Sequence, residues 1–246
     1  MLGRDPLIPP KRLLRYGRRE FAGGGDAYLG HLLDLAGLRA GHRVLDVGCG
    51  FGRLARPLVR HLDPKQGAYE GFDVDRSAIG WCRRAYGRRH RNARFLRADL
   101  FHPRTHPGGA HSAAEYRFPY DDGQFDLVVA ASVFPHMLEA ETAHYLAESA
   151  RVLAPGGRLF ATFFVLDDGS RRQMTAGRAG LSFLDPAEHV AVLSEDLPEE
   201  GVAYDAGWIS ERLTEAGCRF ESLTAGRWRG IEDARDLVDM VVARRA

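Results

Sequence analysis

Lysine is nearly missing from this chain of 246 residues: of its 34 basic residues only Lys11 and Lys65 are lysine, and the rest are arginine. The shortage excludes a P-loop, because no lysine follows the glycine-rich stretch at residues 48–52 to reach a phosphate. A charge excess of one sign is missing as well. The 33 acids leave a net charge of +1, so the electrostatic footprint of a nucleic-acid or anionic-membrane binder is absent. Cysteine is scarce: Cys49, Cys82 and Cys218 stand far apart, with no Cys-x-x-Cys pair. That excludes a disulfide framework and a thiolate metal site, and the expectation is reduced thiols in a cytoplasmic protein. No apolar run approaches the ~18 residues of a membrane span. Residues 1–20 carry Pro6, Pro9, Pro10 and a basic run where a secretory leader would have an apolar core.

What is present is an alternation of short apolar runs with amphipathic segments, on a chain long enough for one large globular domain. The spacing predicts a helix over 26–36, a buried strand at 44–47 and a helix bearing Leu54, Ala55, Leu58, Val59 and Leu62. A strand at 68–73, a helix at 77–86 and a strand at 94–98 follow. Residues 101–124 read as a loop. Then come a strand at 125–131, a helix at 141–152, a strand at 158–164, a helix at 206–216 and strands near 219–223 and 237–243. Strands alternating with helices in this way predict an α/β fold with a doubly wound, mostly parallel sheet. Residues 1–25 read as an N-terminal arm hinged at Gly23-Gly24-Gly25, and residues 166–206, which break the rhythm, as a lid inserted into the domain of residues 26–246.

The stretch "VLDVGCGFGRLARPL" abandons side chains at Gly48, Gly50 and Gly52, between the first strand and a helix. Such a turn lets backbone N–H groups approach a ligand, and it also serves as a tight turn with no ligand at all. A dinucleotide site spells G-x-G-x-x-G, and here the third glycine comes one position early. The context is more specific. "YEGFDVD" closes the second strand, with Asp73 21 residues beyond Gly52, where a carboxylate can accept from two ribose hydroxyls. "FLRADL" closes the third with Asp99, and "FPYDDGQFDLVVAASVFPHM" and "RVLAPGGRLFATFF" follow in order. With this ordered set, residues 26–165 resemble the class I S-adenosylmethionine-dependent methyltransferases, and "DLVDMVVARR" looks like that family's closing strand. The resemblance implies a seven-stranded Rossmann-like sheet whose last strand is antiparallel. It implies S-adenosylmethionine as cofactor: its methionine portion at Asp46, Gly48, Cys49, Gly50 and Gly52, its ribose at Asp73 with Val74, its adenine at Asp99 and Leu100, and Ala131 at the end of strand four.

The acceptor is approached by elimination. Amino-methylating DNA enzymes of this fold carry [DNS]-P-P-[YFW] after strand four, and metal-dependent catechol-type enzymes place carboxylates there. This chain has Ala130-Ala131-Ser132-Val133-Phe134. A small molecule remains, with a hydroxyl, amine, carboxyl or activated carbon as acceptor, the hydroxyl being first choice, and no metal. Tyr16, Tyr204, Trp208 and Trp228 could wall such a substrate, or the tryptophans could pack against the sheet. His102, His106 and His111 share a loop without metal-ligand spacing and read as solvent-exposed. His136 follows strand four, on the sheet edge where ligands of doubly wound folds bind, and a neutral imidazole there suits a general base. Two alternatives keep the pocket: non-methyl chemistry such as cyclisation or decarboxylation, and a non-catalytic binding subunit. A nicotinamide dehydrogenase is a further rival. The partners expected are a small-molecule acceptor and, compatibly, further copies of the chain, with no nucleic acid and no membrane.

Overall fold

The computed structural model describes residues 5–14, 17–87, 89–102, 106–184 and 188–246. The chain divides into two compact units: Met1–Ser112 with Phe125–Val129, and Ala113–Gln124 with Ala130–Ala246.

The first unit opens with helix α1 (Arg18–Asp34), then β1 (Arg43–Val47), α2 (Ala55–His61), β2 (Ala68–Asp73), α3 (Arg76–Tyr86) and β3 (Ala93–Arg97), and takes in β4 (Phe125–Ala130) through Val129. The strands lie in the order β3-β2-β1-β4, all parallel, with Asp46 opposite both Gly71 and Val129. Helix α3 shows why the sequence folds this way. Asp75 caps it by accepting from Ser77 N–H at 2.7 Å and Ala78 N–H at 3.2 Å. Ala78, Ile79, Cys82 and Tyr86 fall on one helical face and are buried. Burying Ile79 alone is worth about 1.5–3 kcal/mol.

The expected glycine hinge does not exist. Gly23, Gly24 and Gly25 lie inside α1, so the 25/26 boundary falls within a helix. Phe21, Tyr28 and Leu32 bury the flanking turns. Gly25 is there for close approach: a Cβ on it would come 2.3 Å from the Arg53 carbonyl oxygen.

The second unit holds α4 (Glu139–Val152), β5 (Leu153–Leu166), α5 (Asp168–Thr175), β6 (Val190–Val192), β7 (Val202–Asp205), α6 (Ala206–Glu215), β8 (Cys218–Thr224) and β9 (Asp239–Arg245). Strand β7 runs parallel to β5, β6 antiparallel to β7, and β9 antiparallel to β5 and to β8. The described residues thus form nine strands where seven were expected. The two additional ones, β6 and β7, come from the stretch read as a lid, and all but the last of their residues are buried. The result is a Rossmann-like α/β fold, mostly parallel where the nucleotide-binding pattern was read. No helix among the described residues is long and apolar enough to cross a membrane.

Candidate active site

At the end of β1 the N–H groups of Gly48 and Cys49 both donate to the Phe72 carbonyl oxygen at 3.0 Å, tying the turn to β2. Gly48, Gly50 and Gly52 all have positive φ, at 71°, 50° and 79°. Gly50 and Gly52 nevertheless serve different ends. A Cβ on Gly52 would meet the Tyr86 hydroxyl at 3.0 Å and the Cys82 sulfur at 3.2 Å, so that glycine makes room for the protein's own helix α3. A Cβ on Gly50 would find only Asp73 Oδ2, at 4.0 Å, and that face is open.

Asp73 is fixed by two backbone donors: Gly50 N–H on Oδ2 and Asp75 N–H on Oδ1, each at 2.8 Å. Each oxygen keeps a further lone pair. Burial raises the Asp73 carboxyl above its ordinary value against the pull of these two N–H groups. Asp46 is buried outright and accepts from the Tyr69 hydroxyl at 2.7 Å. Burial pushes its carboxyl up to about 7, with the Tyr69 hydrogen bond and Arg53 opposing. Its negative charge is therefore conditional on pH near neutrality. Cys49 is buried, and its thiol is pushed up by burial and by Asp46. Val74 is half-buried, its carbonyl oxygen accepting from Arg97 Nε at 3.4 Å.

Asp99 lies two residues past β3 with its side chain exposed, and Leu100 beside it is buried. His106 Nε2 lies 2.8 Å from Asp99 Oδ1. His106 is thus paired and its side chain is only 16% exposed, against the expectation of open solvent.

The remaining expected site residues belong to the second unit. Ala131 is buried. The next residue, Ser132, is the one non-glycine among those described with positive φ, 60°, and its N–H donates to Thr162 Oγ1 at 2.8 Å. Strain of that kind costs about 1–3 kcal/mol and marks a position the surroundings hold on purpose. His136 closes a 3-10 turn (Phe134–His136) and is exposed, with Nδ1 3.0 Å from the Glu199 carbonyl oxygen.

The aromatic wall does not form as expected. Tyr204 is fully buried; its hydroxyl donates to the Met137 carbonyl oxygen at 2.6 Å and accepts from Thr142 Oγ1 at 3.0 Å. Trp208 stacks on it at 5.0 Å, and Trp228 is buried with Nε1 donating to Asp239 Oδ2 at 2.8 Å. These three are core residues, and Tyr204 braces the turn after His136 instead of facing a substrate. Tyr16 lies outside the described residues.

The methyltransferase domain family matches residues 44–157, which contain the whole glycine turn, Asp73, Asp99 and His136. Over this stretch the chain is similar to the class I S-adenosylmethionine-dependent methyltransferases. Among its relatives is the 27-O-demethylrifamycin SV methyltransferase of Amycolatopsis mediterranei, 28% identical over 80% of this chain and 69% of that protein. Another is the phthiotriol/phenolphthiotriol dimycocerosates methyltransferase 1 of Mycobacterium ulcerans, 36% identical over 50% of this chain and 38% of that protein. The chain thus spans between about a third and two thirds of the length of these curated relatives. A crystal structure of a SAM-dependent methyltransferase from Aquifex aeolicus superposes with a TM-score of 0.58 over 99% of this chain and 100% of that one, at 18% identity, a likeness of fold.

The residues of this site fit S-adenosylmethionine, the cofactor of the methyltransferases that the chain resembles. Asp73 offers unused lone pairs beside a glycine face that nothing fills. Sequence reasoning missed Tyr69, Tyr86, His106 and Ser132. For Tyr69 a signal existed: Tyr69, Gly71 and Asp73 alternate along β2 and share a face. A Cβ on Gly71 would come 2.8 Å from the Tyr69 hydroxyl, so the empty position leaves Tyr69 its place beside Asp46.

Proposed function

We propose that this methyltransferase methylates a hydroxyl oxygen of a small molecule without a metal, with His136 as the base. In this reading the turn from Asp46 to Gly52 holds the methionine portion of the cofactor. Asp73 and Val74 hold the ribose, Asp99 and Leu100 the adenine, and Ala131 borders the methyl group. The cofactor supplies a methyl group on a sulfonium, which is its own leaving group. The protein is left with alignment and with removal of one proton.

The observation that carries the reading is the hydrogen bond of His136. A carbonyl oxygen only accepts, so the contact with Glu199 requires the proton on Nδ1. In the neutral ring the lone pair then sits on Nε2, on an exposed side chain, free to take a proton. The parallel register supports the placement: Asp46 and Val129 are opposite each other, so the chain leaves β4 at the edge where the glycine turn begins. His136 follows six residues after Ala130. The rifamycin relative, whose name specifies an oxygen, supports the choice of atom. Three free, buried cysteines suit a reducing cytoplasm.

The test is turnover on a panel of hydroxylated small molecules, read by mass spectrometry of the methylated product. H136A is expected to lower turnover by about 10²–10⁴ while leaving cofactor affinity intact, and H136Q should not rescue it, because an amide cannot carry the proton. Near-full turnover of either variant across pH 6–9 removes His136 from the chemistry. Loss of turnover on chelation, restored by Mg²⁺ or Zn²⁺, rejects the metal-free reading.

A further inference from the structure

Asp99 presents an asymmetric carboxylate. Both of its contacts among the described residues fall on Oδ1: His106 Nε2 at 2.8 Å and the Ala110 N–H at 3.4 Å. Because a carboxylate only accepts, His106 donates from Nε2. The donor is well enclosed, its side chain 16% exposed, whereas the Asp99 side chain is 59% exposed. One oxygen thus carries both contacts, and Oδ2 accepts from none of the described residues.

The chain after Asp99 is built to deliver that donor. Phe101 N–H donates to the His111 carbonyl oxygen at 2.8 Å, and His111 N–H donates to the Asp99 carbonyl oxygen at 3.1 Å. His102 and His106 exchange N–H···O bonds at 3.0 and 2.9 Å, and Gly109 N–H donates to the His106 carbonyl oxygen at 3.1 Å. The fold-back needs glycine at 109. A Cβ there would lie 2.1 Å from both the carbonyl carbon and oxygen of Leu100, closer than any side chain can come.

The geometry points to His106 as a positioning residue for the nucleobase of the cofactor: by holding Asp99 Oδ1 it aims Oδ2 at the exocyclic amine of adenine. This rests on the adenine contact proposed above for Asp99. Hydrogen bonding by His106 and then by the Ala110 N–H lowers the Asp99 carboxyl below its ordinary value, with the His106 and His111 charges adding to it, which keeps it an acceptor throughout the neutral range. His106 acts through Asp99 and touches no reacting atom.

The experiment compares calorimetric affinities for S-adenosylhomocysteine and for the same ligand with the 6-amino group of its purine replaced by hydrogen. The wild type is expected to prefer the amine about ten- to a hundredfold. In H106A the preference should collapse to within about threefold, through weaker binding of S-adenosylhomocysteine with the deaminated ligand unchanged. H106Q, whose amide nitrogen can still donate, should keep most of it. The ratio is taken within each variant, so a general loss of stability does not mimic the effect. An H106A protein that weakens both ligands equally, or that keeps the wild-type preference, overturns the inference. D99A separates the two layers. If D99A also keeps the preference, the adenine contact itself is wrong. If D99A loses it while H106A retains it, only the role of His106 falls.

Discussion

Asp73 is the residue on which the cofactor reading turns, and its geometry sets what a substitution does. Its two oxygens already accept from Gly50 and Asp75, and the ribose would use the lone pairs left over. D73A therefore removes the ligand's acceptors and frees the Gly50 N–H, so that the turn itself loosens. A hydrogen bond to a charged group is worth about 1.5–3 kcal/mol, which predicts a ten- to hundredfold loss of affinity for S-adenosylmethionine and S-adenosylhomocysteine. Calorimetry with unchanged affinity for both would place the ribose elsewhere. Tyr204 teaches the opposite lesson at the same scale. An aromatic residue with a polar tip reads as a substrate wall, yet its hydroxyl is used up by Met137 and Thr142 inside the second unit.

At the scale of the element, helix α1 offers a paired test. Gly23 is exposed in the helix interior, with nothing within 4 Å of where a Cβ would sit. G23A should stabilise the protein by about 0.5–1 kcal/mol, since alanine gives up less chain entropy in a helix. Two residues on, G25A meets the Arg53 carbonyl oxygen at 2.3 Å, which is backbone and cannot swing aside. It should destabilise by about 1–3 kcal/mol as an overpacked contact. Urea denaturation of the two variants checks both signs, and equal effects would mean α1 does not hold this approach. The same helix marks where the sequence stops being legible. Strand β2 was readable over its full length at 68–73 and the other long elements to within a few residues, save α1, which begins eight residues earlier than expected, and β5, which begins five earlier, because apolar periodicity persists over a whole element. Three consecutive glycines carry no periodicity, and the reason for Gly25 lies in a backbone oxygen 28 residues away. Strands β6 and β7, of three and four residues, are too short for alternation to register. That Asp73 would meet the glycine turn was legible because chain order brings the two strand ends together. The partners of Asp46, Asp99 and His136 were not, because a hydrogen bond chooses among residues that only the folded chain assembles.

At the scale of the whole molecule, titration sums over sites of opposite sign. Burial alone would raise the Glu148 carboxyl, but Arg151 and the Phe118 N–H outweigh it and hold it below its ordinary value. Such a group contributes stability that is present above its unfolded pKa and lost as pH falls through the folded one. Asp46 works the other way. Its carboxyl is raised from 3.8 to about 7, chiefly by burial, so the folded state favours the protonated form. Its contribution is fully present below the unfolded value and is lost as pH rises from about 4 through about 7. D46N isolates this contribution, because the amide oxygen can still accept from Tyr69 while the charge cannot form. Without ligand, D46N should gain stability relative to the wild type by up to about 4 kcal/mol between pH 4 and pH 8, most of it before pH 7. Denaturant melts of the two proteins at each pH give the difference directly, with Glu148 and the other lowered carboxylates cancelling between them. A difference that stays flat from pH 4 to 8 would mean that Asp46 is already charged in the folded state at pH 4. It would then offer a permanent anion at the end of β1, not one that forms near neutrality.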